Sequence, residues 1–205
     1  MIARTECERN IVTMIALVAG AIFINAVVLI TLQIILSQHM DPLNNVICIA
    51  ISTFCGFVAF PCILMRKMYN PPLNSLGLCE LRPLDWLSFA VSIAAVMGAF
   101  LHAKKQIDWF LLLIVQNLIV AFSEEFICRG VFIFTLNRGI KSKLIVGIIS
   151  IMVFVFVFHS GAPLMENLIW RLPMSIVIVS IYLKRNSIYI PFAIHFTYNI
   201  IVSLV

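Results

Sequence analysis

The stretch "FLLLIVQNLIVAFSEEFICRGVFIFTL", residues 110–136, decides how the rest of the chain is read. It is largely apolar at both ends, yet "SEEFICRG" at 123–130 places Glu124, Glu125 and Arg129 in its middle. In a membrane, each such charge costs about 2.5–3.5 kcal/mol at the bilayer centre and usually faces a cavity in the service of function. Unpaired and additive, the three would cost on the order of 8–10 kcal/mol, so partners must offset them.

Composition chooses the membrane. The 205 residues are 62% hydrophobic and 11% charged, with a mean hydropathy of +1.09. Soluble domains carry about 45–50% apolar and about 25% charged residues, and a chain of this length cannot hide so much apolar surface from water. A spanning helix takes roughly 20 apolar residues. Apolar runs over 11–36, 46–65, 84–101, 109–136, 144–159, 168–183 and 188–204 predict seven helices. The fourth is too long for one straight crossing and is expected to tilt, kink or project. The first exceeds a signal-peptide core, shows no clear cleavage site and reads as a retained helix. Gly139, in "NRGIKSK", is placed to end the fourth helix in a left-handed cap. No second domain is evident, so 1–205 reads as one integral-membrane domain.

Lysine and arginine are retained in cytoplasmic loops. Arg4, Arg9, Arg66, Lys67, Arg82, Arg138, Lys141, Lys143, Lys184 and Arg185 fall on one side of the seven-helix reading, and Lys104 and Lys105 on the other. Ten cations against two predict a cytoplasmic N-terminus and an exterior C-terminus. The net charge of +5 follows from this bias and from anionic lipid head groups. It points to the lipid bilayer as partner and to no nucleic acid. Cys48, Cys55 and Cys62 recur every seven residues, as soft packing residues on one helix face do.

Helix geometry sorts the charges. Glu125 and Arg129 are four apart and share a face, so they read as a structural ion pair. Glu124 is turned about 100° away and is the carboxylate less easily neutralised within its own helix, hence a candidate general base. Two later helices bring polar residues that could meet it. "FVFVFHS" places His159 after an aromatic run, and "IHFTYN" places His195 and Asn199 four apart on one face. Bundle sites are commonly built from inward-facing side chains of several helices. Arg171 reads as a snorkelling residue or a partner of Glu166.

The order of these motifs resembles the CPBP family of intramembrane proteases, which includes CAAX prenyl endopeptidases and bacteriocin-processing or self-immunity (Abi) proteins. "EEFICR" matches E-E-x-x-x-R, His159 the histidine of F-x-x-x-H, and "HFTYN" H-x-x-x-N. The match covers about 107–205, the motif-bearing core. It departs from the pattern where Val155 stands in the phenylalanine position, flanked by Phe154 and Phe156, and in having seven predicted helices where eight are frequent in the family. The resemblance implies an all-α polytopic membrane bundle, about seven transmembrane helices around a central polar catalytic cavity, in a bacterial cell membrane. It implies a peptide substrate, with Glu124 as general base, His159 acting on the same water, His195 and Asn199 orienting it or stabilising the oxyanion, and Glu125 and Arg129 bracing the site. Glu124, His159 and His195 could also form a His₂Glu zinc set with one open position. H-E-x-x-H is absent, so spacing gives this metal no independent support.

Two other classes compete. One is a non-enzymatic bacteriocin-immunity or peptide-binding membrane protein that keeps the motif for structure. The other is a proton-relay transporter, disfavoured by the absence of a repeated half and of paired broken helices.

Overall fold

A computed structural model describes residues 2–104 and 106–204, with side chains except those of residues 2–9, 11 and 38. The side chains of Arg4 and Arg9, and Lys105 altogether, therefore lie outside the described residues. The described residues form seven helical rods: α1 Ile2–Ile35, α2 Pro42–Met68, α3 Pro83–Ala103, α4 Ile107–Asn137, α5 Lys143–Phe158, α6 Leu164–Arg185 and α7 Tyr189–Leu204. Five include segments long and apolar enough to cross a membrane, and α5 and α7 are shorter apolar helices. Ile15, Phe23, Ile34, Leu87, Val91 and Leu101 stand exposed along their length. Such faces require lipid tails, and the protein is an integral membrane protein.

The predicted runs find their helices, and the corrections lie at the ends. α1 carries its helix out of the apolar run to Ile2. α2 begins earlier than expected because Pro42 takes the first helical position and the Asp41 carboxylate accepts the Asn44 N–H at 2.7 Å. Asp and Pro there make an efficient helix start. α6 also starts early, directly after the extended Pro163, because Glu166 and Asn167 are held by Arg171 rather than looping out. Gly139 is not left-handed. α4 closes with the Gly139 and Ile140 N–H groups both on the Leu136 carbonyl. Left-handed residues instead end α3 at Lys104 and α6 at Asn186. Of the three cysteines on α2, Cys48 is buried while Cys55 and Cys62 are half-buried and all are free thiols.

α4 is the centre, touching α1, α2, α5 and α7, while α7 lies against α3, α4 and α6. Alternating helix directions give the bundle two distinct ends. One end gathers the connections after α2, α4 and α6, tied together by Tyr69 to Asn10 and by Arg185 to the buried Asp85 at 3.5 Å. Arg66, Lys67, Arg82, Arg138, Lys141, Lys143, Lys184 and Arg185 all belong to this end. The opposite end carries the connections after α1, α3 and α5, and Lys104 is its loop cation among the described residues.

The long connection 69–82 does not stay on the surface. Its short 3₁₀ turn, Leu73–Leu76, sinks Leu76 into the largest apolar cluster beside Phe126, Phe132 and Tyr182. The Leu76 carbonyl then passes so close to α4 that a Cβ on Gly130 would lie 2.6 Å from its oxygen. Gly77, at φ +80, turns the chain back, and its carbonyl accepts the Ile188 N–H that leads into α7. Gly130→Ala should therefore force a backbone shift and cost about 1–3 kcal/mol, as overpacking does. The measurement is the melting temperature of the detergent-purified protein, which should fall clearly relative to the parent.

Candidate active site

Glu124 and Glu125 are the last residues of the regular part of α4, before a π-helical turn at Phe126–Val131. π-turns concentrate at functional sites because they re-aim side chains. Here α2, α4, α5 and α6 each carry one, α2 at Cys55–Ala59, α5 at Val153–Phe158 and α6 at Asn167–Arg171. The turns of α5 and α6 contribute Phe154 and Arg171 to one cavity of about 280 Å³, and the turn of α4 begins two residues after Glu124, which also lines it. Glu124, His159, His195 and Asn199 all line it, with Asn117, Phe154, Glu166, Arg171 and Tyr198.

Glu125 and Arg129 are fully buried behind that cavity. Arg129 Nε lies 3.2 Å from Glu125 Oε2, but the N–H is not aimed at the oxygen, so the contact is electrostatic rather than a directed hydrogen bond. Arg129 Nη2 donates to Ser175 Oγ on α6 at 3.2 Å, and its guanidinium lies 4.2 Å from the Phe154 ring centre. The expected ion pair is thus present. Glu125 also does what the sequence did not reveal: its Oε1 takes the Nδ1–H of His195 at 2.8 Å, tying α4 to α7.

Those partners set the histidine tautomers. A carboxylate oxygen can only accept, so His195 carries its proton on Nδ1 and turns Nε2 toward Glu124 Oε2, 3.6 Å away. His159 has the same polarity. Its Nδ1 meets the Phe154 carbonyl at 2.9 Å, which also only accepts, and its Nε2 faces Glu124 Oε2 at 4.0 Å. Neutral, both rings present a lone pair to a carboxylate. Three acceptors converge with no proton among them, an arrangement that calls for a donor or a positive charge at their centre. Among the described residues, no group of three or more His, Cys, Asp or Glu side chains is arranged as a metal site.

The phenylalanine that F-x-x-x-H places at 155 is supplied from 154. Residues Val153–Phe158 form a π-helical turn, and the His159 side chain folds back so that its Nδ1 meets the Phe154 carbonyl. The extra residue in that turn carries Phe154 round to the site, where its ring meets His159 at 4.7 Å and His195 at 5.7 Å between centroids. Val155 stays in the apolar core with Ile127 and Cys128, so Cys128 is a packing residue.

A second layer comes from α6. Arg171 pairs with Glu166 at 2.7 Å, as its spacing suggested. Arg171 also donates to Asn167 Oδ1 at 2.9 Å, and Asn167 Nδ2 donates to the His159 carbonyl at 3.0 Å. That chain holds His159 just past the end of its own helix. Sequence spacing marked the 166–171 pairing but gave no sign that it supports His159. Nor did it mark Asn117 as part of the cavity.

A family model described as type II CAAX prenyl endopeptidase Rce1-like matches residues 105–201. Over these residues, slightly less than half of the chain, the sequence is similar to the Rce1-like family. No curated protein and no solved structure matches it significantly. The matched region holds α4 to α6, most of α7, and Glu124, Glu125, Arg129, His159, His195 and Asn199, while α1, α2 and α3 lie outside it and pack round it.

The buried pair generates a stability test. Glu125→Gln leaves Arg129 without its counter-charge and should cost about 3–5 kcal/mol, the loss seen when one ion of a buried pair is stranded. Glu124→Gln, at a side chain 14% exposed to the cavity, should leave thermal unfolding in detergent near that of the parent. Equal melting temperatures for the two variants would show that Glu125 is not the structural member of the pair.

Proposed function

We propose that the protein is an intramembrane endopeptidase that hydrolyses a peptide bond in a membrane-associated or small secreted peptide, using water activated by Glu124 and His159. The carrying observation is the convergence of Glu124, His159 and His195, from three separate helices, on one cavity that also holds the Asn199 amide. The endopeptidase name of the matching family supports the same chemistry.

The geometry suits a water. Two hydrogen bonds of about 2.8 Å that open near the water angle span roughly 4.4 Å, close to the 4.0 Å between Glu124 Oε2 and His159 Nε2. Such a water donates one proton to each and turns an oxygen lone pair to the substrate carbonyl carbon. As the C–O bond forms, Glu124 takes the proton, the role of a positioned general base. The carbonyl oxygen becomes an oxyanion, for which the Asn199 amide is a donor of the kind that stabilises acyl-transfer intermediates. Glu124 then returns its proton to the leaving nitrogen as the C–N bond breaks. His195, with Glu125 behind its Nδ1–H, can hold positive charge beside Glu124 during this transfer, as an imidazole backed by a carboxylate does. Arg129 and Ser175 fix that carboxylate in turn.

Glu124→Gln preserves shape and removes the base. Turnover of a cleavable peptide in purified proteoliposomes should fall by about 10²–10⁴-fold while insertion and abundance are unchanged. Full activity in this variant would refute the mechanism. A cellular phenotype that survives the loss of all turnover would identify the protein as a peptide-binding or immunity protein instead.

A further inference from the structure

His159 does not stand on a helix. The π-helical turn of α5 ends at Phe158, and His159 opens the connection 159–163, which contains Gly161. Backbone past a helix end opens readily unless it is tied down, and a group held on a loop is placed less exactly than one on a helix. The ring is fixed at one point, Nδ1 on the Phe154 carbonyl at 2.9 Å. The main chain is fixed separately. The His159 carbonyl accepts the Ala162 N–H at 3.1 Å within its own turn and the Asn167 Nδ2–H at 3.0 Å from α6. The second of these bonds is the one that ties the connection to another helix.

Asn167 is 2% exposed and, among the described residues, is not one that lines the cavity. Its two ends face unlike partners. The His159 carbonyl can only accept, and Arg171 Nη1, 2.9 Å from Asn167 Oδ1, can only donate. A side-chain amide, with a donor end and an acceptor end, matches both at once, and these partners fix which way it points. Arg171 is held in turn by Glu166 Oε1 at 2.7 Å. We propose that Asn167 is a positioning residue: its amide, aimed by Arg171 and Glu166, holds the main chain of His159 so that the ring Nε2 stays turned toward Glu124 Oε2, 4.0 Å away. The benefit to hydrolysis rests on the peptidase reading above, whereas the tether rests on these contacts alone. A water shared by Glu124 and His159 tolerates little displacement, because a misplacement of about 1 Å in such an arrangement can cost about 10²-fold in rate. Arg171 and Glu166 line the cavity themselves, but Asn167 acts through His159.

Asn167→Leu removes both ends of the amide at similar size. The His159 carbonyl keeps the Ala162 N–H and Arg171 keeps Glu166, so neither is left without a partner. In proteoliposomes, kcat for a cleavable peptide should fall about 10–10²-fold with KM near that of the parent, because losing an interaction that serves only the transition state lowers kcat and kcat/KM together. An unchanged kcat, or a change in KM alone, overturns the proposal. A second readout needs no turnover. In nitrogen NMR spectra of histidine-labelled protein in detergent, His159 is identified by the signal that His159→Gln lacks. The parent should show one tautomer, protonated on Nδ1, and Asn167→Leu a mixture that includes the Nε2-protonated form. Arg171→Met, which leaves the amide unaimed, should move the same signal in the same direction. A His159 signal that stays as in the parent in both variants overturns the tether, whatever the kinetics. A parent that cleaves no peptide overturns the peptidase reading instead, and the histidine signals still decide the tether.

Discussion

The bond between Glu125 Oε1 and His195 Nδ1, 2.8 Å long and buried, is the contact on which the site depends. It joins α4 to α7 across 70 residues of sequence. It decides which nitrogen of His195 is bare, and it leaves Glu125 bound on both sides, so that Glu124 alone is exposed to the cavity. In lipid the alternative to such a bond is a stranded charge costing several kcal/mol. The Glu125–Arg129 pair alone would bury one cation and one anion with poor alignment. His195, Ser175 and the Phe154 ring complete its surroundings from three other helices. A network of this kind either forms whole or is costly in part, so it also specifies how α4, α5, α6 and α7 fit together.

Two adjacent glutamates consequently do opposite things, and the difference is only one step of helix rotation, about 100°. Glu125 points into the packed interior, where its charge is consumed by Arg129 and His195. Glu124 lines the cavity, where two histidine nitrogens that offer no proton lie 3.6 and 4.0 Å from its Oε2. The helix-face argument made from sequence paired Glu125 with Arg129, and that contact is present. It rested on local spacing, which a regular helix preserves up to residue 125.

What was legible in the sequence was what is local. Apolar runs gave the seven helices, because lipid leaves a spanning chain little alternative to satisfying its own amides. Four-residue spacings gave Glu125 with Arg129, and His195 with Asn199. What was not legible depends on departures from regular helix or on distant partners. The replacement of position 155 by Phe154 needs the π-turn at Val153–Phe158, which an apolar aromatic run does not announce. The support of His159 by Asn167 and Arg171 needs α6 to begin at Leu164, in a stretch whose Gly, Pro and Asn residues read as a loop. The burial of Leu76 needs a glycine at 130, which looks like any small residue in a membrane helix.

That buried connection resolves a conflict of depth. At about 1.5 Å per residue, Glu124 lies roughly 20 Å from the end of α4 at Asn137 and His159 about 24 Å from the start of α5 at Lys143. On the same rise His195 lies only about 9 Å from Tyr189. If all three helices began at one membrane surface, His195 could not reach the level of the other two. His195 nevertheless comes within 3.6 Å of Glu124 Oε2, and the start of α7 is packed against the bundle. Ser187 and Ile188 are buried although Lys184 and Asn186 just before them are exposed. The Ile188 N–H finds its acceptor on Gly77, and Asn186 Nδ2 reaches the Asn74 carbonyl. A spanning chain cannot leave a helix start unsatisfied at such depth, and the turn 73–77 supplies the missing backbone partner. This turn comes from outside the Rce1-like region. The first hundred residues, which carry none of the motif, thus anchor the start of the helix that brings His195 to Glu124.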